Sequence, residues 1–276
     1  MKRRSLLGLA PITLYLGALT LVPLLSTLWL SLAGPGGLTL EYYREIVGRY
    51  QFGEAVGNTL GITALGLSLE LVLGLAAALA LAGTRRGRAA AQICLLIPLG
   101  VPTIVAAAVM RSVFSTVGYL NEILLRLGLI RLPVDWVGER ALAIATVALA
   151  DAWKVTPLML LILLAGLEAI PGELYEAART DGASRWRQFR AVTLPLLKPA
   201  LTMALIVRGV DAFRIFALPL ALVGRDLPVL STYAYLEYIE YGSPHTSAAS
   251  SVILLLMILL AVGSYLRLAG PEEVLR

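Results

Sequence analysis

Cysteine, histidine and lysine are nearly missing from this sequence. Cys94 is the only cysteine, so no intramolecular disulfide can form and the redox compartment is not indicated. His245 is the only histidine, and one His and one Cys so far apart cannot assemble a metal site. With no clustered carboxylates either, the chain has little catalytic chemistry to offer. Cys94 reads as a small buried apolar residue and His245 as a loop residue. Lysine occurs only at Lys2, Lys154 and Lys198, and none follows a glycine. A phosphate-cradling P-loop needs Gly-Lys and then Ser or Thr, so no nucleotide site of that kind is encoded. Charge as a whole is scarce, 15% of residues against about a quarter in soluble domains. The net charge is +5, but no basic run is interleaved with aromatics. Nucleic-acid binding is therefore not expected, and Lys and Arg are left to be read as topology signals.

What replaces the missing charge is Leu, Ala, Val and Ile, in a chain that is 58% hydrophobic. Crossing a bilayer takes about 20 apolar residues. Six runs of that kind occur, at about 10–32, 59–82, 91–114, 141–167, 199–222 and 247–268. Backbone groups in lipid need internal partners, so the runs predict helices; the two-residue alternation of a membrane barrel is absent. The expected fold class is an all-α integral membrane protein of six transmembrane helices, forming one domain over residues 1–276. The run after Lys2-Arg3-Arg4 exceeds the 7–15 residues of a signal-peptide core and reads as a retained first span. With the N-terminus inside, 13 of the 23 Lys and Arg fall in inside segments and 6 in outside loops: Arg44, Arg49, Arg126, Arg131, Arg140 and Arg225. That bias predicts both termini in the cytoplasm, with 168–198 as a cytoplasmic loop.

That loop has its own local grammar. Pro171 suits the first turn of a helix, and Glu173 and Glu176 complement its positive end. Gly182 supplies a left-handed residue to stop it. Ser184 caps a second short helix, and Pro195 and Pro199 break the chain before the fifth span. A helix–turn–helix elbow is predicted, with Ala177 and Ala178 keeping one side thin. The other reading from residues alone is an amphipathic helix on the lipid surface, with Arg185, Arg187 and Arg190 touching phosphates.

Charges inside the apolar runs cost about 2.5–3.5 kcal/mol each on insertion scales and mark polar pathways or internal pairs. Asp151 and Lys154 share a helix face and can pair; Arg208, Asp211 and Arg214 form a similar ladder in the fifth run. Glu70 stands alone in the second run, facing the bundle, and no partner for it is evident.

Glu176-Ala177-Ala178, Asp181-Gly182-Ala183, Phe189, Val192, Leu194-Pro195 and Pro199 resemble the EAA loop of permeases from binding-protein-dependent, ATP-driven ABC importers. Other segments resemble carbohydrate-uptake permeases, in particular the larger permease of the maltose-transporter type. They are Asn58-Thr59-Leu60, Trp153-Lys154, Thr156-Pro157, Ala165-Gly166-Leu167, Asp211-Ala212-Phe213-Arg214 and Ser231-Thr232-Tyr233-Ala234-Tyr235. The chain departs from that pattern at Gly224-Arg225-Asp226, where Gly-Gly-Pro is usual. The resemblance implies a type I ABC importer permease fold in a bacterial or archaeal inner membrane. It implies coupling helices that dock on ATPase subunits through Glu176, Ala177, Ala178, Asp181, Gly182, Leu194 and Pro195. Implied partners are a second homologous permease, two ATPase subunits binding ATP and Mg, an extracytoplasmic substrate-binding protein and membrane lipid. No enzyme activity and no cofactor are implied for this chain itself. The expected cargo is a sugar or oligosaccharide, with Asp151, Lys154, Arg208, Asp211 and Arg214 as pathway candidates. A different polar cargo such as glycerol phosphate is the alternative. An ion-coupled secondary transporter is a remoter one, since paired repeats with interrupted helices are not seen.

Overall fold

A computed structural model describes residues 2–84 and 86–269, with side chains from residue 12 onward except that of Tyr50. Arg85 and Arg276, and the side chains of Lys2, Arg3 and Arg4, counted above as inside charges, lie outside the described residues. In chain order the elements begin with α1 (Lys2–Leu32), a two-residue antiparallel ladder of β1 (Ala33–Gly34) and β2 (Gly37–Leu38), α2 (Glu41–Val47) and α3 (Tyr50–Ala82). There follow α4 (Arg88–Gly100), α5 (Thr103–Phe114), α6 (Tyr119–Arg126), α7 (Arg140–Glu168), α8 (Gly172–Thr180) and α9 (Arg185–Gln188). A π-helical turn (Phe189–Thr193) leads into α10 (Leu194–Phe213), then α11 (Ala217–Leu222), α12 (Leu230–Ile239) and α13 (Pro244–Ala269). Six helical stretches among the described residues are long and apolar enough to cross a membrane: Ile12–Leu32, Gln51–Ala82, Thr103–Arg126, Arg140–Glu168, Arg185–Phe213 and Pro244–Ala269.

Two of the expected spans are cut differently. The third, expected as one helix over 91–114, is α4 and α5. Pro102 forbids its predecessor the helical region, and Val101 sits extended at φ −74°, ψ 127°. The fifth, expected over 199–222, begins earlier and ends at Arg214, with α11 a separate short helix. Pro195 and Pro199 do not break it. Pro195 occupies the first turn of α10, where no N–H is needed. The carbonyl its ring would crowd belongs to Ala191, which lies in the widened π turn closed by Leu194 N–H donating to Phe189 O.

The chain also forms two compact units where one domain was expected. The first joins residues 2–56 to 230–257. Its core is Ile46, Phe52, Ala55, Leu230, Tyr233 and Ala249. Phe52 meets Tyr233 edge-on at 5.6 Å. His245 lies in α13, not in a loop. It stacks on Tyr42 at 4.7 Å, and its Nδ1 lies 2.9 Å from Leu30 O. The carboxylate of Glu237 is buried against Arg49 and accepts from Thr246 Oγ1 at 2.6 Å.

The second unit joins 57–229 to 258–269 among the described residues. One apolar cluster gathers Ile62, Ala107, Met110, Phe114, Ala143, Val147 and Leu218. Another gathers Ala78, Leu81, Met159, Leu160, Leu163, Leu167, Leu197 and Ala204. Lipid provides no hydrophobic drive between helices, so close packing of small residues must hold them. Gly74 and Gly166 supply it: a Cβ at Gly74 would fall 2.7 Å from Met159 Cγ, and one at Gly166 would fall 2.4 Å from Ala200 Cβ. Gly166 thus lets α7 and α10 touch. Replacing it by valine should push them apart and cost about 1–3 kcal/mol, read as a lower melting temperature in detergent. An unchanged melt would show that this contact is not tight.

Candidate functional site

Among the described residues, buried charge in the second unit gathers at one place. Arg208 on α10 donates from Nε to Glu70 Oε2 at 2.7 Å and from Nη2 to Glu70 Oε1 at 2.9 Å. Nη2 also reaches Asp151 Oδ2 on α7 at 3.2 Å. Asp211, one turn along α10, lies 3.6 Å from Arg208 Nη1 and 3.7 Å from Arg214 Nη2. The side chains of Glu70 and Arg208 are 0% and 4% exposed, Asp151 14%, and Asp211 48%. The cluster therefore runs from a sealed two-pronged pair out to an accessible carboxylate. A planar guanidinium forking onto a carboxylate is the strongest geometry such a pair can adopt.

Of the five pathway candidates, four meet here: Asp151, Arg208, Asp211 and Arg214. Lys154 does not join them. It is half-buried on α7, and Asp151 turns to Arg208 instead of the expected Lys154. The sequence reading left Glu70 without a role, yet it is the principal partner. The signal was present: a lone carboxylate in a long apolar helix requires a cation from elsewhere. Beside the cluster on α7, Trp153 and Thr156 line a cleft of about 450 Å³ with Leu95, Pro98, Pro157 and Cys94, the last exposed where burial was expected. Thr156 Oγ1 is buried with no hydrogen-bond partner among the described residues.

The elbow forms as its residues dictate. Pro171 caps α8 from just outside (φ −60°, ψ 131°), with Glu173 in the first turn. Gly182 takes φ +73°. Its N–H donates to Arg179 O at 3.0 Å and Ala183 N–H to Ala178 O at 2.9 Å, the paired bonds of a Schellman stop. Ser184 Oγ accepts from Arg187 N–H, and Gln188 Nε2 donates to Ala183 O at 2.8 Å, closing the turn. Tyr175 and Thr193 join hydroxyls at 3.0 Å, and Ile170, Tyr175 and Val192 pack on the apolar cluster of α7 and α10. Arg88 pairs with Glu168 at the end of α7. The elbow is thus bound to two long helices. Glu176, Ala177, Asp181 and Gly182 are exposed on it; Ala178 is half-buried. Leu194 and Pro195 stand apart from that face, in the first turn of α10.

The chain is similar to known proteins over most of its length. The trehalose/maltose transport system permease protein MalF of Thermococcus litoralis is 36% identical over 258 residues, covering 90% of this chain and 87% of that protein. The trehalose transport system permease protein SugA of Mycobacterium tuberculosis is 37% identical over 227 residues, covering 78% and 71%. The fold matches a chain of a bacterial ABC transporter involved in import of the acidic polysaccharide alginate, with TM-score 0.83 and 21% identity over 100% of this chain and 98% of that one.

The Glu70–Arg208 pair has a definite energetic signature. Glu70→Ala leaves a buried guanidinium short of its main partner and should destabilise by about 3–5 kcal/mol. A Glu70→Leu, Arg208→Met double variant should recover most of that loss in detergent melting. Wild-type stability in Glu70→Ala, or no recovery in the double variant, would contradict the pairing. From Glu70 onward the cluster, the elbow and all of α13 lie within residues 70–269, which match the Binding-protein-dependent transport system inner membrane component, and the chain belongs to that family.

Proposed function

We propose that this chain forms one half of the translocation pathway of an ATP-driven importer for a sugar or oligosaccharide. The observation that carries the proposal is the elbow: a structured α8–α9 turn, fixed to α7 and α10, that exposes Glu176, Ala177, Asp181 and Gly182. A loop with no mechanical duty has no need of a Schellman stop, a serine cap and a hydroxyl bridge to the next span. Docked on an ATPase subunit, it would pass motion directly into α7 and α10, two of the three helices that hold the charged cluster. A second permease completes the pathway, two ATPase subunits bind ATP and Mg, and an extracytoplasmic binding protein delivers cargo. Both termini and the elbow face the cytoplasm, as the bias of Lys and Arg favours.

The sugar cargo is supported by the relatives named for trehalose and maltose transport. It is also supported by the chemistry of the second unit. Polyhydroxylated solutes need donors and acceptors close to apolar and aromatic surface. Asp211 is half-exposed, Arg214 is exposed, and Trp153 lines the cleft on α7. The sealed Glu70–Arg208 pair belongs to the scaffold of that site. Asp211, Arg214 and Lys154 are the groups accessible to cargo.

Gly182 adopts a backbone conformation that a β-branched residue resists. Gly182→Val should leave the complex assembled but cut binding-protein-dependent sugar uptake at least tenfold, with ATP hydrolysis no longer stimulated by cargo. Normal uptake would remove the elbow from the coupling path. Orientation has a separate check. In a Cys94→Ala background, Thr180→Cys should react with a membrane-impermeant maleimide only after the inner face is opened. Labelling from outside intact cells would reverse the proposed topology.

A further inference from the structure

The second limb of the elbow has a character that coupling to an ATPase does not require. Trp186 is 65% exposed and stacks on Phe189 at 5.5 Å. Arg185, Arg187 and Arg190 surround this pair and are all exposed. Between Asp181 and Asp211 the sequence contains no acidic residue. The first limb differs: Glu173 and Glu176 in α8, and Asp181 just after it, give it an acidic character. The elbow is therefore split into an acidic limb and a basic, aromatic limb.

Helix length places the basic limb. Residues Arg185–Phe213 form one continuous helical stretch of 29 residues. At 1.5 Å per residue that is about 43 Å, against a hydrocarbon core of about 30 Å. The 20 residues of α10 alone match the core. Arg190 then stands about 6 Å beyond Leu194, at headgroup depth, with Trp186 and Arg187 about one turn farther out. Arg and Trp at that depth are matched to phosphate and to the membrane interface.

We propose that Arg185, Arg187 and Arg190, with the Trp186–Phe189 stack, form a binding site for the phosphate of anionic phospholipid headgroups. The site holds the foot of α10 at the bilayer surface while the acidic limb remains free for a protein partner. This rests on the membrane reading above, and the orientation given there makes it the inner leaflet. The stack lays flat aromatic surface at the headgroup boundary, and the guanidiniums grip phosphate oxygens beside it.

The test is fluorescence in nanodiscs holding the full chain with its co-purifying subunits. The discs are made of phosphatidylcholine and phosphatidylglycerol, with one or the other lipid brominated. The difference between wild type and Trp186→Phe isolates the Trp186 signal from Trp29, Trp136 and Trp153. Brominated phosphatidylglycerol should quench that signal at least twofold more than brominated phosphatidylcholine. An Arg185→Gln, Arg187→Gln, Arg190→Gln variant should abolish the preference, and Arg190→Gln alone should reduce it should the triple variant fail to assemble. Absent quenching, equal quenching by the two lipids, or a preference that survives the arginine changes would overturn the site. So would a Trp186 that lipid reaches only after the ATPase subunits are stripped away, since that would assign this limb to them. No cargo or nucleotide enters the measurement, so its outcome is separate from that of the transport reading.

Discussion

Arg208 sets the terms for much of the second unit. A guanidinium does not lose its proton in a protein, so among apolar helices it must be given negative charge or be placed at great cost. Here two helices supply that charge, Glu70 from α3 and Asp151 from α7, to a cation on α10. Three long helices are thereby held in one register by groups that tolerate no slippage. The same cluster opens at Asp211 and Arg214, where the charges are accessible. A sealed pair and accessible charge are thus two ends of one arrangement.

Packing supports the same register by other means. Gly74 and Gly166 remove side-chain bulk where α7 meets its neighbours. The elbow then repeats the arrangement at the edge of the unit. Tyr175, Val192 and Thr193 bind α8 back onto the helices from which it emerges. A partner pressing on the exposed residues of α8 would therefore push on α7 and α10 and not on a slack loop.

Much of this was legible in the sequence, and the misreadings have physical causes. Hydropathy found the membrane-crossing runs because lipid imposes a length and a composition. It could not see the break at Val101-Pro102, since one proline barely lowers the average of a long apolar window. It also carried the fifth run past Arg214 into Leu218 and Leu222, which are buried in a separate short helix. The elbow was readable residue by residue because caps and stops are local: Gly182 and Ser184 act on neighbours within a few positions. The charged cluster was readable only in part. Spacing along one helix suggested Asp151 with Lys154, but the true partner of Asp151 comes from another helix. Glu70 could not be paired from spacing at all, because its cation lies 138 positions away. His245 shows the same limit, as its ring partner Tyr42 is distant in sequence.

The unbroken course from Arg185 to Phe213 has a mechanical consequence. It contains two prolines, the first just after a π turn and the second inside α10, and the helical course continues through both. If it turns as one body, its course of about 43 Å carries the elbow at one end and Asp211 near the other. A tilt of about 5° at the foot would swing the far end by nearly 4 Å, on the order of a hydrogen bond made or lost. Pressure too small to reshape any helix would thus be enough to change which charges Asp211 meets.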